Sequence, residues 1–276
     1  MPITIYSGSG HHNLNKLTSS KNIDIYIDTE EYHPNNNIKF YIQREVDVIH
    51  KLYKYLRENA DKYDLIFCYD PSQLSAKNVV KIIFGGTWIE SDFYESIDVS
   101  KKDYSISNLT GWKTGCLAYY LRHLLYQNQL AYKEFPITFY RSSAHIIIPE
   151  IDVNPLIPKE PLSSKYILFD KYQFSIVIEN TRERNLFSEK TMDCLITKTI
   201  PIYYGCENIG EYFDTTGWII LTNEENFLQD LYNELHKLND SYYMKYIDIV
   251  EKNYKTAIQF SSLEKNLIDI LKPYLS

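Results

Sequence analysis

Phe174-Ser175-Ile176-Val177-Ile178-Glu179-Asn180, a polar loop to Asn185, Ser188-Glu189-Lys190-Thr191-Met192, and Thr199-Ile200-Pro201-Ile202-Tyr203-Tyr204-Gly205 read as one structural unit. The first run is apolar at nearly every position, which suits a strand buried on both faces. Ser188 stands where an N-cap belongs, so a helix is expected from there through Met192 and Leu195. Thr199 to Gly205 reads as the next strand, and Pro201 is tolerable near its start. Strand, helix and strand at this spacing make a βαβ unit, which implies a parallel sheet.

The same alternation continues on both sides. Ile3-Thr4-Ile5-Tyr6 and Ile23-Asp24-Ile25-Tyr26-Ile27 read as strands. Val46 to Leu56 has apolar residues at helical spacing. Asp64 to Tyr69 is an apolar run stopped by Asp70-Pro71, and Val79 to Phe84 is another, stopped by Gly85-Gly86. Tyr104 to Asn108 reads as a strand and Gly115 to Gln127 as a helix. Residues 146 to 164 are proline-rich, with Pro149, Pro155, Pro158 and Pro161, and read as a loop or a boundary. Trp218 to Leu221 is a further strand, and Phe227, Leu228, Leu231, Leu235 and Leu238 share one helical face. Strands alternating with helices place the chain in the α/β class.

Ligands of an open parallel sheet sit beyond the carboxyl ends of its strands. Glu179 and Asn180 lie at such an end, and Ser188, Glu189 and Lys190 open the following helix, so these residues should converge on one crevice. A helix start offers unpaired N–H groups and the positive end of its dipole, and Lys190 adds a full charge, which suits a diphosphate. Glu189 would be repelled by phosphate and is better used as an acceptor for sugar or ribose hydroxyls. Taken alone, the pair also reads as ordinary helix capping, with a first-turn glutamate and a solvated lysine.

The three linked blocks resemble the donor-site signature of the family 10 glycosyltransferases, the alpha-1,3/4-fucosyltransferases. That signature is an apolar strand ending Glu-Asn-Ser/Thr, a Ser/Thr-Glu-Lys helix start and a Thr-Ile-Pro-Ile-Tyr-Trp-Gly strand. Weaker similarity extends from Tyr104 to Asp214. The resemblance implies a GT-B fold, two Rossmann-like domains facing a cleft, with GDP-fucose as donor and inversion at the anomeric carbon. It implies that Lys190 holds the diphosphate, that Glu189 holds hydroxyls and that Asn180 shapes the pocket. It further implies an arginine upstream on the diphosphate, for which Arg122 is the candidate and Lys113 a competitor. Arg182 and Arg184 stand in a loop more charged than the family's, and Tyr204 stands where the family has Trp. The resemblance also asks for a carboxylate base in the N-terminal domain. Glu90, after the Phe84-Gly85-Gly86-Thr87 turn, is the candidate, followed by Asp92 and Asp70, although as a residue Glu90 reads first as an ordinary solvated loop acid.

On this reading residues 1–100 form the acceptor-side domain, 101–258 the donor-binding domain, and 259–276 a helix packing back on the first. The chain would be a transferase that needs no divalent metal, with a nucleotide sugar and a glycan acceptor as its partners. Two alternatives stand beside it: the same fold with another nucleotide-linked deoxysugar, and a noncatalytic sugar- or nucleotide-binding protein.

Composition sets the outer limits. The chain has 276 residues, 44% hydrophobic and 24% charged, with a net charge of −7. That is a globular composition, and its acidity argues against nucleic-acid binding as the main task. No stretch is long and apolar enough to span a bilayer or to serve as a signal peptide, so a soluble cytoplasmic protein without an integral membrane segment is expected. Cys68, Cys116, Cys194 and Cys206 show no paired spacing, so neither a disulfide frame nor a zinc site is expected. No Asp-x-Asp occurs. The turn Ser7-Gly8-Ser9-Gly10 before His11-His12 reads as a plain loop or a phosphate loop without the third glycine of a dinucleotide fingerprint. The 26 tyrosines read as compositional habit, apart from Tyr204.

Overall fold

The computed structural model describes residues 3–8, 14, 17–143, 158 and 160–275. The His11-His12 loop and the prolines at 149 and 155 lie outside the described residues. The chain divides into two compact units. The first comprises Met1–Gly86, Glu183–Leu186 and Ser262–Ser276, and the second Thr87–Arg182 and Phe187–Ser261.

In the first unit, β1 (Ile3–Ser7), β2 (Ile23–Ile27), β3 (Ile38–Ile42), α1 (Asp47–His50), α2 (Leu52–Asn59), β4 (Leu65–Cys68) and β5 (Val79–Lys81) follow in order. The five strands are all parallel and stand in sequence order, β1-β2-β3-β4-β5. The single helix expected over 46–56 is two helices. Lys51 turns left-handed at φ 55°, and the Asp47 carboxylate then accepts from the Tyr53 N–H at 2.6 Å, which a continuous helix would have pointed at a carbonyl. The run expected over 79–84 pairs only over Val79–Lys81 before the left-handed Gly85 and Gly86.

Alternation sorts the two faces of this sheet by chemistry. Ile23, Ile25, Ile27, Phe40, Ile42 and Phe67 point to one face, covered by Leu14 and Leu17. Tyr26, Tyr41, Ile66 and Cys68 point to the other, where Tyr69, just past β4, and Tyr53 and Leu56 of α2 pack with them. Tyr6, Tyr26 and Tyr41 stand in register across three strands, with the Tyr6 and Tyr26 rings stacked at 4.9 Å. Tyr53 and Tyr69 meet edge to face at 5.6 Å. Such ring pairs each add about 0.5–1.5 kcal/mol beyond area burial. The tyrosines therefore build core as well as colouring the composition.

The second unit runs α3 (Ser91–Glu95), β6 (Asp103–Thr110), α4 (Leu117–Gln127), β7 (Ile137–Arg141), β8 (Tyr172–Ile178), α5 (Glu189–Ile196), β9 (Ile200–Tyr204), β10 (Ile219–Ile220), α6 (Phe227–Leu235), α7 (Asp240–Lys245) and α8 (Ile247–Phe260). Its sheet is also all parallel, but the order is β10-β9-β8-β6-β7. The chain leaves β6 for β7 on one side, then returns to lay β8 against the opposite side of β6. α9 (Leu263–Leu271) belongs to the first unit, where Leu267 and Leu271 are buried against the aliphatic face of its sheet.

Candidate donor site in the second unit

The order reversal between β6 and β8 is a topological switch point. Connections leaving the two strands in opposite directions open a crevice at their carboxyl ends. Asn180 lies there, just past the end of β8. From α4, which follows β6, Arg122 reaches the same place. Its guanidinium donates to the Ile178 carbonyl through Nε at 3.0 Å and through Nη2, and Nη2 also reaches Asn180 Oδ1 at 3.0 Å. Arg122 is 7% exposed and lies over the Tyr119 ring at 5.1 Å. Burial pulls its pKa down, against the opposing pull of Glu179. Arg122 thus holds Asn180 and the strand end in place.

Glu179 points the other way, into the chain. At 3% exposure, its Oε1 accepts from the Ser188 N–H at 2.9 Å and the Thr191 hydroxyl at 2.6 Å, and its Oε2 from the Ser188 hydroxyl at 2.6 Å. The carboxylate fastens the end of β8 to the start of α5. Room for it comes from Gly205 at the end of β9: a Cβ there would stand 2.7 Å from Glu179 Cγ and 2.6 Å from the Tyr203 hydroxyl. A glycine is needed at 205 for this close approach.

Ser188 caps α5, its hydroxyl accepting from the Lys190 N–H at 3.3 Å. The Lys190 ammonium donates to Ser188 Oγ at 3.1 Å and Glu189 Oε1 at 3.0 Å, and lies 3.9 Å from Glu179 Oε2. Burial works against the Lys190 charge, but Glu189 and Glu179 outweigh it and raise its pKa. Burial alone would likewise raise the Glu189 carboxyl, yet Lys190 and Lys165 hold it down at about 2. Both side chains keep about a quarter of their surface in solvent, at 27% and 26% exposed, so a ligand can reach them. The arrangement is a charged, partly open helix start whose cation is held in place by two carboxylates.

Tyr204, beside Ile178 in the β8–β9 register, donates its hydroxyl to Glu224 Oε1 at 2.6 Å and packs edge to face on Phe227 at 5.9 Å. Burial, then Glu224, raises its pKa. Arg182 donates to the Thr222 carbonyl at 3.1 Å.

The structure therefore gathers Asn180, Glu179, Ser188, Glu189, Lys190 and Arg122. Lys113 is exposed on the loop before α4, where its carbonyl stands 3.1 Å from His123 Nε2. Glu90 and Asp92 are exposed at the start of α3, in the second unit, whereas the resemblance asks for a base in the N-terminal domain. Asp70 belongs to the first unit. Its carboxylate is used in capping, accepting from the Ser72 N–H at 3.2 Å, the Ser72 hydroxyl at 2.6 Å and the Gln73 amide at 3.2 Å.

Sequence reasoning missed Lys165 and Asp193. Lys165 Nζ lies 3.8 Å from Glu189 Oε1 and 3.7 Å from Asp193 Oδ2. Asp193 is 1% exposed and accepts from the Thr87 hydroxyl at 2.6 Å and the Trp88 N–H at 2.8 Å. Burial pushes its carboxyl up to about 6, against the opposing pull of Lys165, Thr87 and Trp88. The available signal was an acid one helical turn after Glu189 on a helix whose other residues are mostly apolar. Nothing in the sequence near Lys165 marks it.

No protein-family model matches the chain, and no curated protein matches it in sequence. Solved structures do match in fold. An alpha1,3-fucosyltransferase superposes with a TM-score of 0.54 at 14% identity, over 99% of this chain and 89% of that one. A glycosyltransferase from Rickettsia africae gives 0.58 at 13%, over 91% and 76%. An alpha-glucosyltransferase in complex with UDP and a DNA containing an HMU base gives 0.53 at 14%, over 94% and 82%. At these identities the likeness is one of fold: the chain is an α/β protein of the GT-B type, with two parallel five-stranded units.

Proposed function

We propose that this chain is a glycosyltransferase that moves fucose from GDP-fucose to a hydroxyl of a glycan acceptor, with inversion at the anomeric carbon. The observation that supports it is the start of α5. A Ser188-capped helix N-terminus and the Lys190 ammonium stand together at the carboxyl end of β8, beside the switch point of the sheet. A diphosphate leaving group gains charge as its bond to the sugar breaks, and fixed cations and N–H groups stabilise that charge without a metal. Lys190 takes the diphosphate and exchanges part of its pairing with Glu189 for phosphate oxygens. Glu189 then accepts from donor hydroxyls, with Asn180, held by Arg122, as a further wall of the pocket.

In the transfer itself, the acceptor oxygen forms the new bond at the anomeric carbon from the face opposite GDP. The bond from that carbon to the phosphate oxygen breaks, and its electron pair leaves with GDP. The acceptor proton passes to a carboxylate acting as base. Glu90 is the first candidate for that base, then Asp92.

Calorimetry against GDP, UDP and dTDP, followed by GDP release from GDP-fucose, tests this reading. GDP should bind at least about tenfold tighter than the other two, a difference of ~1.4 kcal/mol. Tighter binding of UDP or dTDP would move the chain to another donor, a reading favoured by the shared fold of the UDP-bound alpha-glucosyltransferase. Glu90→Gln and Asp92→Asn, each compared for turnover at unchanged GDP affinity, decide between the two carboxylates.

A further inference from the structure

Trp88 is 70% exposed, although tryptophan is a side chain that folding ordinarily buries. Its position is not loose. The Trp88 N–H and the Thr87 hydroxyl both donate to Asp193 Oδ1, and the Ile89 N–H donates to Thr87 Oγ1 at 3.0 Å. Ile89, the next residue, is buried. A buried carboxylate is costly unless several donors meet it, and here two of its partners are the backbone and side chain that set the direction of Trp88. Lys165, paired with the same Asp193, places its ammonium 5.0 Å from the centre of the indole. Farther along the segment, Phe93 packs on Tyr166 at 4.9 Å. The loop is thus fixed from both ends while the indole stays in solvent.

Lys165 also links this feature to the helix start, because its ammonium lies 3.8 Å from Glu189 Oε1, which in turn bonds Lys190. The exposed indole is therefore two side chains away from the lysine assigned to the diphosphate. A water-facing aromatic plane on an anchored backbone, beside a cation, suits a ring that is apolar on its C–H face and rich in hydroxyls at its rim. A pyranose has that shape: its C–H face would lie on the indole while a rim hydroxyl meets the Lys165 ammonium.

We propose that Trp88 is a saccharide platform, on which a pyranose ring of the acceptor stacks beside Lys165 at the edge of the donor site. The proposal rests on the sugar-transfer reading and adds to it a residue for acceptor recognition. It is tested with methyl β-D-galactopyranoside and methyl β-D-glucopyranoside titrated into the nucleotide-free protein. The indole N–H resonance of Trp88 is followed and assigned by its loss in Trp88→Phe, and GDP affinity is measured in parallel. At least one glycoside should shift that resonance. Trp88→Ala should weaken glycoside binding by about tenfold, as expected for a lost aromatic contact, and Trp88→Phe by much less. Both variants should bind GDP within about twofold of wild type, well under the ~1.4 kcal/mol of a tenfold change.

A resonance unmoved by either glycoside up to about 100 mM, a concentration that would reveal even millimolar affinities, overturns the proposal. So does a Trp88→Ala variant that keeps glycoside affinity or loses GDP affinity equally. Lys190→Ala separates the two readings. It should lose GDP affinity and keep glycoside affinity; unchanged GDP affinity there removes the donor reading and leaves the platform to stand or fall on the glycoside result.

Discussion

Among the described residues the two units contain the same number of parallel strands and use them differently. In the first, strands add one after another in sequence order, and no reversal opens a crevice within the sheet. Its charged and polar ends serve the fold: Asp70 caps a turn, and Asp28 holds the Arg44 and Glu45 N–H groups at 2.7 and 3.0 Å. In the second, the chain doubles back between β6 and β8, and charged side chains collect at that point. Strand order, more than strand content, decides where a fold of this kind can place chemistry.

The sharpest way to break the comparison is to remove the charge at the reversal. On the transfer reading proposed above, Lys190→Ala should lower turnover by about 10²–10³-fold, the scale of losing one fixed electrostatic contact to a transition state, while the protein stays folded. A variant that keeps full turnover would reduce α5 to a scaffold like the helices of the first unit. Gly205→Ala should come next, and through stability. Its Cβ would meet both the Tyr203 ring and Glu179, neither a free-ended side chain at the surface, so about 3 kcal/mol or more should be lost in urea unfolding.

Asp193 gives a pH signature. Its folded-state pKa of about 6 lies above the ordinary carboxyl value, because burial disfavours the charged form. Its contribution to stability is therefore complete below pH ~4 and is lost as pH rises through ~6, about 3 kcal/mol in all. Asp193→Asn should flatten the stability profile between pH 4 and 6, measured against wild type. Profiles that run parallel from pH 4 to 6 would show that ion pairing with Lys165, and not burial, dominates, because a depressed pKa moves the change below pH ~4. Ser188→Ala is the mildest test: loss of the cap should cost about 1–2 kcal/mol. A larger loss would show that Glu179 depends on the serine hydroxyl as much as α5 does.

The βαβ core at 174–205 was legible because it is local: an apolar strand, a capping serine and a second apolar strand announce themselves within one window. β3 and β7 were not recognised. Ile38-Lys39-Phe40-Tyr41-Ile42 contains a lysine whose burial makes sense only once its ammonium is seen on the Asn35 carbonyl at 2.7 Å and the Asn37 carbonyl at 3.1 Å. Ile137-Thr138-Phe139-Tyr140-Arg141 alternates, but a five-residue run has no context until β6 is known to be its neighbour. The helix start at 188–190 was legible for the same local reason. The direction of Glu179 was not, since it depends on a glycine on the adjacent strand, 26 positions on, leaving space for it. Nor was the Lys165–Asp193–Trp88 cluster, which joins three distant parts of the chain.

The aliphatic face of the first sheet is covered by Leu267 and Leu271 of α9, each of which contributes about 2 kcal/mol by its burial. During synthesis, Gly86 leaves the ribosome long before those leucines exist. At 5–20 residues per second the interval is about ten to forty seconds, throughout which Ile25, Ile27 and Phe40 lack their final cover. The unit begun first is thus completed last, and the nascent chain must carry an unfinished sheet while the second unit forms. Truncation after Ser261 would for this reason damage the N-terminal sheet, far from the cut in sequence.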